Sequence, residues 1–169
     1  RTQLKRLDDN NANARRNGKY LTELLKGVPG LITPHIPDHC ETVYHKYRIR
    51  LDAAAAGVDA APVDFRDKVL AAIKAENVEC CLWETLPLPM QKNFADHVGY
   101  GRQCPWACPL REKPAPRTQP NDYANAKALL DSSFVLGSHS FPIIAQSVEV
   151  MEHYAKAIKK VFDNLDELF

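Results

Sequence analysis

The chain has 169 residues, of which 45% are hydrophobic and 25% are charged. This length fits one domain whose core is large enough to fold without cross-links, so the five cysteines need not form disulfides. The 22 basic and 21 acidic side chains give a formal net charge of +1, which argues against a polybasic nucleic-acid-binding protein and against an acidic tail. No apolar run approaches the roughly 20 residues that cross a bilayer, and the N-terminus lacks a secretory pattern. We therefore expect a soluble, cytoplasmic protein.

The predicted first helix is already under way where the chain begins. Apolar residues recur with the spacing of one helix face; they are Leu4, Leu7, Ala14, Leu21 and Leu25, with Asn11 and Gly18 filling the same stripe. No capping pattern precedes Leu4, and Gly27 and Gly30 end the periodicity. A helix that starts in this way at Arg1 predicts a fragment of a longer protein. A frayed or trimmed terminus is the alternative.

A strand is predicted at residues 43–51, where side chains alternate between two faces. His45 and Tyr47 lie on the apolar face, and Lys46, Arg48 and Arg50 lie on the other. We expect His45 to point inward as a neutral imidazole that is hydrogen-bonded within the domain, because burial disfavours its charged form. The basic face is expected to be solvated or to contact another subunit.

The next predicted elements are a helix capped by Asp64 and ended by Asn77, and a strand at residues 78–83. Residues 84–120 are rich in proline and show no periodicity, which is typical of a functional or interface loop.

The end of the chain carries further regular elements. A helix is predicted at residues 121–130 and a short strand at residues 133–136. The last helix is predicted from its stripe of apolar residues, which are Val148, Met151, Ala155, Ile158, Phe162 and Leu165. The order α-β-α-β-loop-α-β-α predicts an α/β two-layer sandwich with helices on one face of a small mixed sheet.

The residues taken alone assemble no catalytic constellation. Cysteines occur at positions 40, 80, 81, 104 and 108, and His39, His97 and His139 could complete a zinc site. Structural zinc sites favour paired C-x2-C knuckles, however, and the chain has none, so buried or loop thiols are the favoured interpretation. The chain also lacks the P-loop, the G-x-S-x-G motif and the G-x-G-x-x-G motif.

The ordered set of segments resembles the DegT/DnrJ/EryC1/StrS aminotransferases, which are fold-type I pyridoxal-phosphate enzymes acting on keto-sugars and related cyclic ketones. Residues 3–31 are similar to the helix that joins the two domains of these enzymes, and VYHKYRIRL at 43–51 is similar to their histidine-containing strand. Four further segments extend the resemblance to the end of the chain: ENVECCLWETLPLPMQKNF at 76–94, GYGRQCPWACP at 99–109, FVLGSHSFPI at 134–143 and KAIKKVFDNL at 156–165.

The resemblance implies the small C-terminal domain of such an enzyme. Residues 1–30 would be the helix that joins it to a missing N-terminal domain, and residues 31–169 would be the small domain itself. In this family the N-terminal domain supplies the Schiff-base lysine, the aspartate that faces the pyridine nitrogen and most phosphate contacts, and the chain has none of those motifs. Pyridoxal 5'-phosphate is therefore expected in the full-length enzyme but not on this chain, which we expect to be inactive alone. No catalytic, cofactor-binding or metal residue is predicted.

The implied role of the domain is to close over the substrate. The candidate substrate-binding residues that the resemblance carries over are His45, Tyr47, Trp83, Pro89, Met90 and His139, with Tyr100 and Trp106 as further options. Much of the family has a histidine-containing segment where Trp83 stands. This difference puts a nucleotide-sugar substrate in doubt and leaves a cyclitol or another ketone open. Trp83 could equally pack in the core, and Trp106 is expected to anchor its loop.

The expected partners are the missing N-terminal domain, a second copy of the chain and a small keto-sugar or cyclitol, with neither nucleic acid nor membrane. The apolar stripe of the first helix would be the main exposed patch that favours a dimer. The alternative is a non-catalytic binding or assembly domain that uses the first helix and residues 84–120 as its contact surface. A zinc-binding module is a weaker third possibility.

Overall fold

A small sheet organises the larger of the two units into which the chain divides. The computed structural model describes residues 2, 4–100, 104–113, 117 and 119–169. The first unit comprises residues 1–83 and 132–169, and the second comprises residues 84–131. In the described part of the chain, no helix combines the length and the apolar character that crossing a bilayer requires.

The sheet has four strands in the order β1-β2-β4-β3. The strands are β1 (Leu31–Ile32), β2 (Tyr47–Leu51), β3 (Cys80–Cys81) and β4 (Ser133–Leu136). All three pairings are antiparallel, so the mixed sheet that we expected is corrected to an antiparallel one. The physical reason is that β4, the last strand in the sequence, inserts between β2 and β3 and runs opposite to both. The α/β class itself is confirmed.

The first predicted helix is confirmed as α1 (Leu7–Leu25), with a short 3-10 turn at Leu4–Arg6 before it. Ala14, Leu21 and Leu25 are buried, and α1 packs against α5 (Val148–Asp163). The expectation that the whole apolar stripe is exposed is therefore wrong. Only its first two leucines, Leu4 and Leu7, are exposed, because the rest of the stripe packs in the core of its own unit.

The helix predicted from Asp64 is α2 (Pro62–Ala75). The predicted cap is wrong: Ala61 precedes the helix in place of Asp64, and the helix starts three residues earlier than expected because proline fits the first turn of a helix, where its missing N–H needs no partner. Asn77 follows with a φ of +61°, which ends the helix as predicted. The strand predicted at residues 78–83 corresponds to β3, which is only two residues long. In α5 the predicted apolar stripe is buried at Met151, Ala155 and Ile158.

The strand predicted at residues 43–51 begins only at Tyr47, and this changes the position of His45. Tyr44 has a φ of +43°, which breaks the extended alternation, and its ring is buried. His45 is consequently exposed. The predicted inward position of His45 is wrong, because two-residue alternation holds only while the backbone stays extended.

Helix α1 and the residues before β2 are in unusually close contact. Gly18 of α1 is buried, and a Cβ atom at this position would lie 2.6 Å from Cδ1 of Tyr44. The Tyr44 ring also stacks on Tyr47, with the ring centroids 5.8 Å apart. Thr22 Oγ1 donates to the Gly18 carbonyl at 2.9 Å and lies 2.8 Å from the Tyr47 hydroxyl. Because the only Thr22 hydroxyl proton is used on Gly18, Tyr47 is the donor to Thr22.

A buried amide makes a second contact along the buried face of α1. Asn17 is fully buried, and its Nδ2 donates to the carbonyls of Ile143 at 2.6 Å and Gln146 at 2.9 Å. These carbonyls belong to the segment around the 3-10 turn Ile143–Ala145, which leads into α5. A second 3-10 turn, Leu165–Glu167, follows α5.

The second unit contains the proline-rich segment. Its helices are α3 (Lys92–Ala95) and α4 (Ala124–Asp131), and 3-10 turns lie at Leu88–Met90 and Pro120–Tyr123. The predicted helix at residues 121–130 is thus confirmed as a 3-10 turn that continues into α4.

We predict that Gly18→Ala lowers the free energy of unfolding by about 1–2 kcal/mol. The clash with Tyr44 costs about 1–3 kcal/mol, and the better helix propensity of alanine returns up to about 1 kcal/mol. In a Tyr44→Gly background the ring is absent, so the same substitution should be neutral or stabilising. Urea unfolding followed by circular dichroism measures both differences. An equal effect of Gly18→Ala in the two backgrounds would contradict the contact.

Candidate functional site

Two exposed histidines lie at the same end of the sheet. Tyr47, the first residue of β2, pairs with Leu136, the last residue of β4. Residues just before β2 and just after β4 are therefore brought to one end, and these include His45 and His139. His139 lies in the turn that follows Gly137, where Phe141 N–H donates to Ser138 Oγ at 3.2 Å. Both imidazoles are exposed and able to exchange hydrogen bonds with hydroxyl groups.

Lys46 holds Trp83 beside the sheet. The Lys46 Nζ lies 3.3 Å from the centroid of the indole ring, which is a cation–π contact worth roughly 0.5–1 kcal/mol at an exposed site. Trp83 keeps 42% of its surface exposed. The structure therefore places Trp83 outside the core, with one ring face against an ammonium group.

Tyr47 is buried and contacts α1 instead of facing the exposed end of the sheet. It is fully buried, and burial raises its pKa well above the usual value while the bond with Thr22 opposes the rise more weakly. The phenol therefore stays neutral and serves as the donor to Thr22. Its predicted contact with a substrate stays a prediction, and the geometry makes it a support for the residues that precede it.

The remaining sequence candidates lie in the second unit. Pro89 and Met90 are half-buried in the 3-10 turn Leu88–Met90. Tyr100 is 86% exposed, and its N–H donates to the Cys104 carbonyl at 2.8 Å. Within the segment at 99–109, residues 101–103 lie outside the described part of the chain.

Trp106 anchors its loop, as expected from the sequence. Its Nε1 donates to the carbonyl of Val98 at 3.2 Å. The indole stacks on His97 with the ring centroids 4.6 Å apart and meets the edge of Phe94 at 6.1 Å. His97, which was considered as a zinc ligand, is thus part of an aromatic cluster.

The five thiols are free and occupy different environments. Cys40 and Cys104 are exposed, Cys81 and Cys108 are half-buried, and Cys80 is buried. Burial raises the pKa of the Cys80 thiol to about 12, and the nearby positive charge of Lys74 opposes the rise only in part. Among the described residues no group of three or more histidine, cysteine or acidic side chains is arranged to hold a metal ion.

We predict that Cys80 does not react with Ellman's reagent at pH 8 until the chain unfolds. The thiolate is the reactive form, and a buried thiol with a pKa of about 12 supplies very little of it. Because the unfolded thiol ionises near pH 9, unfolding restores its reactivity. Stopped-flow absorbance with and without urea tests this, with Cys80→Ala as the control that should lack the urea-dependent thiol. Identical kinetics in the two proteins would contradict the assignment.

Three cations lie in and just before β2, and we call them the basic strip: Arg48 and Arg50 share one face of the strand, and Lys46 lies in the bend that precedes it. Arg48 Nη1 donates to Ser133 Oγ at 2.9 Å. No carboxylate of the described residues forms an ion pair with the basic strip, although six other cations of these residues do have acidic partners.

The fold and the sequence together match known proteins. The sequence profile of the DegT/DnrJ/EryC1/StrS aminotransferase family matches residues 1–115. The chain belongs to this family. None of the curated proteins matches it.

Three solved structures share the fold over nearly the whole chain. One is S. venezuelae DesV in complex with a ketimine intermediate, at a TM-score of 0.71 and 13% identity over 97% of this chain and 35% of that one. Another is the aminotransferase TlmJ from Streptoalloteichus hindustanus, with a TM-score of 0.66 and 16% identity over 98% of this chain and 35% of that one. The third is E. coli GDP-4-keto-6-deoxy-D-mannose-3-dehydratase with bound hydrated PLP, with a TM-score of 0.62 and 15% identity over 93% of this chain and 33% of that one. The chain thus spans about a third of the length of these structures.

The lysines of this chain do not fit a cofactor anchor. An imine-forming lysine must be held unprotonated, which requires burial or a neighbouring positive charge in a closed pocket. All lysines lie in the described residues, and none is buried. The two that are half-buried are Lys46, which covers Trp83, and Lys127, which pairs with Asp131.

The N-termini of the three longest helices do not fit the cofactor's phosphate either. A phosphate is favoured at a helix start by free N–H groups and the helix dipole. The first turns of α1, α2 and α5 instead carry acidic side chains that would repel it, namely Asp8, Asp9, Asp64 and Glu149.

Sequence reasoning missed two features of this region. The Lys46–Trp83 contact joins residues 37 positions apart, and no local pattern indicates it. The exposure of His45 follows from the positive φ of Tyr44, for which a tyrosine gives no signal. The basic strip, in contrast, was visible in the alternation of charged residues.

Proposed function

We propose that this chain is the small domain of a pyridoxal-phosphate-dependent aminotransferase that transfers an amino group to a keto-sugar or a related cyclic ketone. In this proposal residues 1–30 join it to a cofactor-holding domain, and residues 31–169 shape the substrate site. A second copy of the chain completes the assembly. Membership of the aminotransferase family and the shared fold support the proposal.

The exposure of the lysines supports the assignment of the cofactor to another domain and of the substrate site to this chain. Imine chemistry needs one lysine amine kept neutral near pH 7, far below its ordinary pKa of about 10.4. Since every lysine here is exposed or half-buried, the chemical contribution of this chain lies on the substrate side. The cofactor amine would come from another domain.

The exposed residues at the end of the sheet suit a sugar or cyclitol ring. An indole presents an apolar face to the C–H groups of such a ring, and the Lys46 contact fixes the orientation of Trp83. Imidazoles such as those of His45 and His139 bond hydroxyl groups. In this proposal, closure of the domain places these groups against the substrate and excludes water.

A second candidate function, an assembly domain without catalysis, is favoured by apolar side chains on the second unit. Leu88, Val98, Tyr100 and Leu110 all keep more than half of their surface exposed. Exposed apolar residues at this density are typical of a protein contact surface.

We predict that a keto-cyclitol or a nucleotide-linked keto-sugar changes the fluorescence of Trp83 but not that of Trp106. The chain has two tryptophans, so Trp106→Phe reports only on Trp83 and Trp83→Phe reports only on Trp106. Titration of the first variant should give a saturable shift, because ring stacking changes the surroundings of an exposed indole. A shift confined to the Trp83→Phe variant, or no shift in either, would contradict the proposed site.

A further inference from the structure

Asn17 and Gly18 form the only Asn-Gly pair in the sequence. Asparagine deamidates fastest before glycine, because a residue without a side chain neither hinders ring closure nor restricts the backbone. The same two residues attach α1 to its unit, through the buried Asn17 amide and through the contact of Gly18 with Tyr44. The pair that is chemically reactive is therefore also the pair that holds the helix.

Deamidation of this pair joins a backbone atom to a side-chain atom. The backbone nitrogen of Gly18 loses its proton and attacks the side-chain carbon Cγ of Asn17, so that a C–N bond forms and the amide nitrogen leaves as ammonia. Water then opens the cyclic imide at either carbonyl, which gives aspartate or isoaspartate. The net reaction consumes water and releases ammonia, and it needs no oxidant and no metal.

Both reacting groups are engaged in the folded chain. Gly18 lies inside α1, where backbone N–H groups are the donors of the helix. The Asn17 side chain is fully buried, and its Nδ2 donates to the carbonyls of Ile143 and Gln146. The Tyr44 ring packs against Gly18 from the other element. Ring closure therefore requires α1 to unwind at this point and to separate from its neighbours.

We propose that Asn17 is a deamidation site that is closed in the folded chain and opens when α1 leaves its unit. The bonds that hold α1 are the same bonds that block the reaction. Deamidation would therefore mark those molecules in which α1 has opened, and its products would prevent α1 from returning to its place.

Each product removes an attachment of α1. An aspartate cannot donate to the two buried carbonyls, and its charge would be buried beside them. Arg16 Nε, which donates to Asn17 Oδ1 at 3.1 Å, could serve one carboxylate oxygen but would leave these carbonyls without donors. Isoaspartate adds a methylene to the backbone before Gly18, which disrupts the helical spacing and moves Gly18 away from Tyr44.

The test follows deamidation of the intact chain at pH 8 over a series of urea concentrations. Peptide mass spectrometry localises the change to Asn17 and separates aspartate from isoaspartate, and circular dichroism gives the folded fraction. Leu21→Ala removes a fully buried side chain of α1 without altering the reactive pair. Lys156→Ala, an exposed truncation on α5, is the matched control.

We expect Asn17 in the folded chain to deamidate at least about tenfold more slowly than in urea, because only the opened fraction reacts. The rate should rise with the unfolded fraction across the urea series. Without urea, Leu21→Ala should accelerate the reaction about tenfold or more, since this truncation raises the opened fraction. Lys156→Ala should change the rate little, and neither variant should change it in full urea.

The consequence for folding is tested with Asn17→Asp, which reproduces one product. It should lower the folding equilibrium constant about tenfold or more, because buried carbonyls that lose their donor carry a desolvation cost. Equal rates of Asn17 deamidation with and without urea, equal acceleration by Leu21→Ala and Lys156→Ala, or an Asn17→Asp chain as stable as the wild type would overturn the proposal.

Discussion

The contact between Gly18 and Tyr44 is the constraint on which the rest of the first unit depends. Because Gly18 has no side chain, the Tyr44 ring can lie directly on α1. The backbone of Tyr44 has a positive φ in this position, His45 beyond it is exposed, and β2 starts only at Tyr47. The Tyr47 hydroxyl then reaches Thr22, one turn beyond Gly18 on the same helix.

The contact of Tyr44 with α1 and the start of β2 at Tyr47 also position the residues at the exposed end of the sheet. Lys46 lies between the turn at Tyr44 and the first paired residue of β2, and from there its ammonium group covers Trp83. The pairing of Tyr47 with Leu136 brings the turn that carries His139 to the same end. Next to Gly18 on α1, the buried amide of Asn17 fixes the segment that leads into α5. Loss of such an amide leaves the carbonyl groups unsatisfied, so Asn17 adds a second attachment of α1 to its unit.

The sequence predicts the parts of this fold that depend on local periodicity. The helices α1, α2 and α5 are long enough for a 3.6-residue pattern to identify them, and β4 is found at residues 133–136 as expected. The insertion of β4 between β2 and β3 could not be predicted, because strand order is set by long-range packing. The two-residue strand β1 has too few residues to show any alternation.

The candidate site is less predictable than the fold for a related reason. The family resemblance indicates Trp83, but its contact with Lys46 joins residues far apart in the sequence, which no local pattern encodes. Strict alternation predicts the wrong face for His45, because the backbone is not extended at Tyr44. Trp106 was assigned correctly to loop anchoring because adjacent prolines and cysteines indicate a constrained loop.

In the proposed function, this chain contributes the substrate side of an aminotransferase and does not hold the cofactor itself. The most direct test is to incubate the chain with pyridoxal phosphate, dialyse, and record the absorbance spectrum, with a full-length member of the family as positive control. We predict no retained chromophore at one equivalent, since no lysine is buried enough to lose its proton near neutral pH. A retained one-to-one chromophore that an amino donor discharges would contradict the claim.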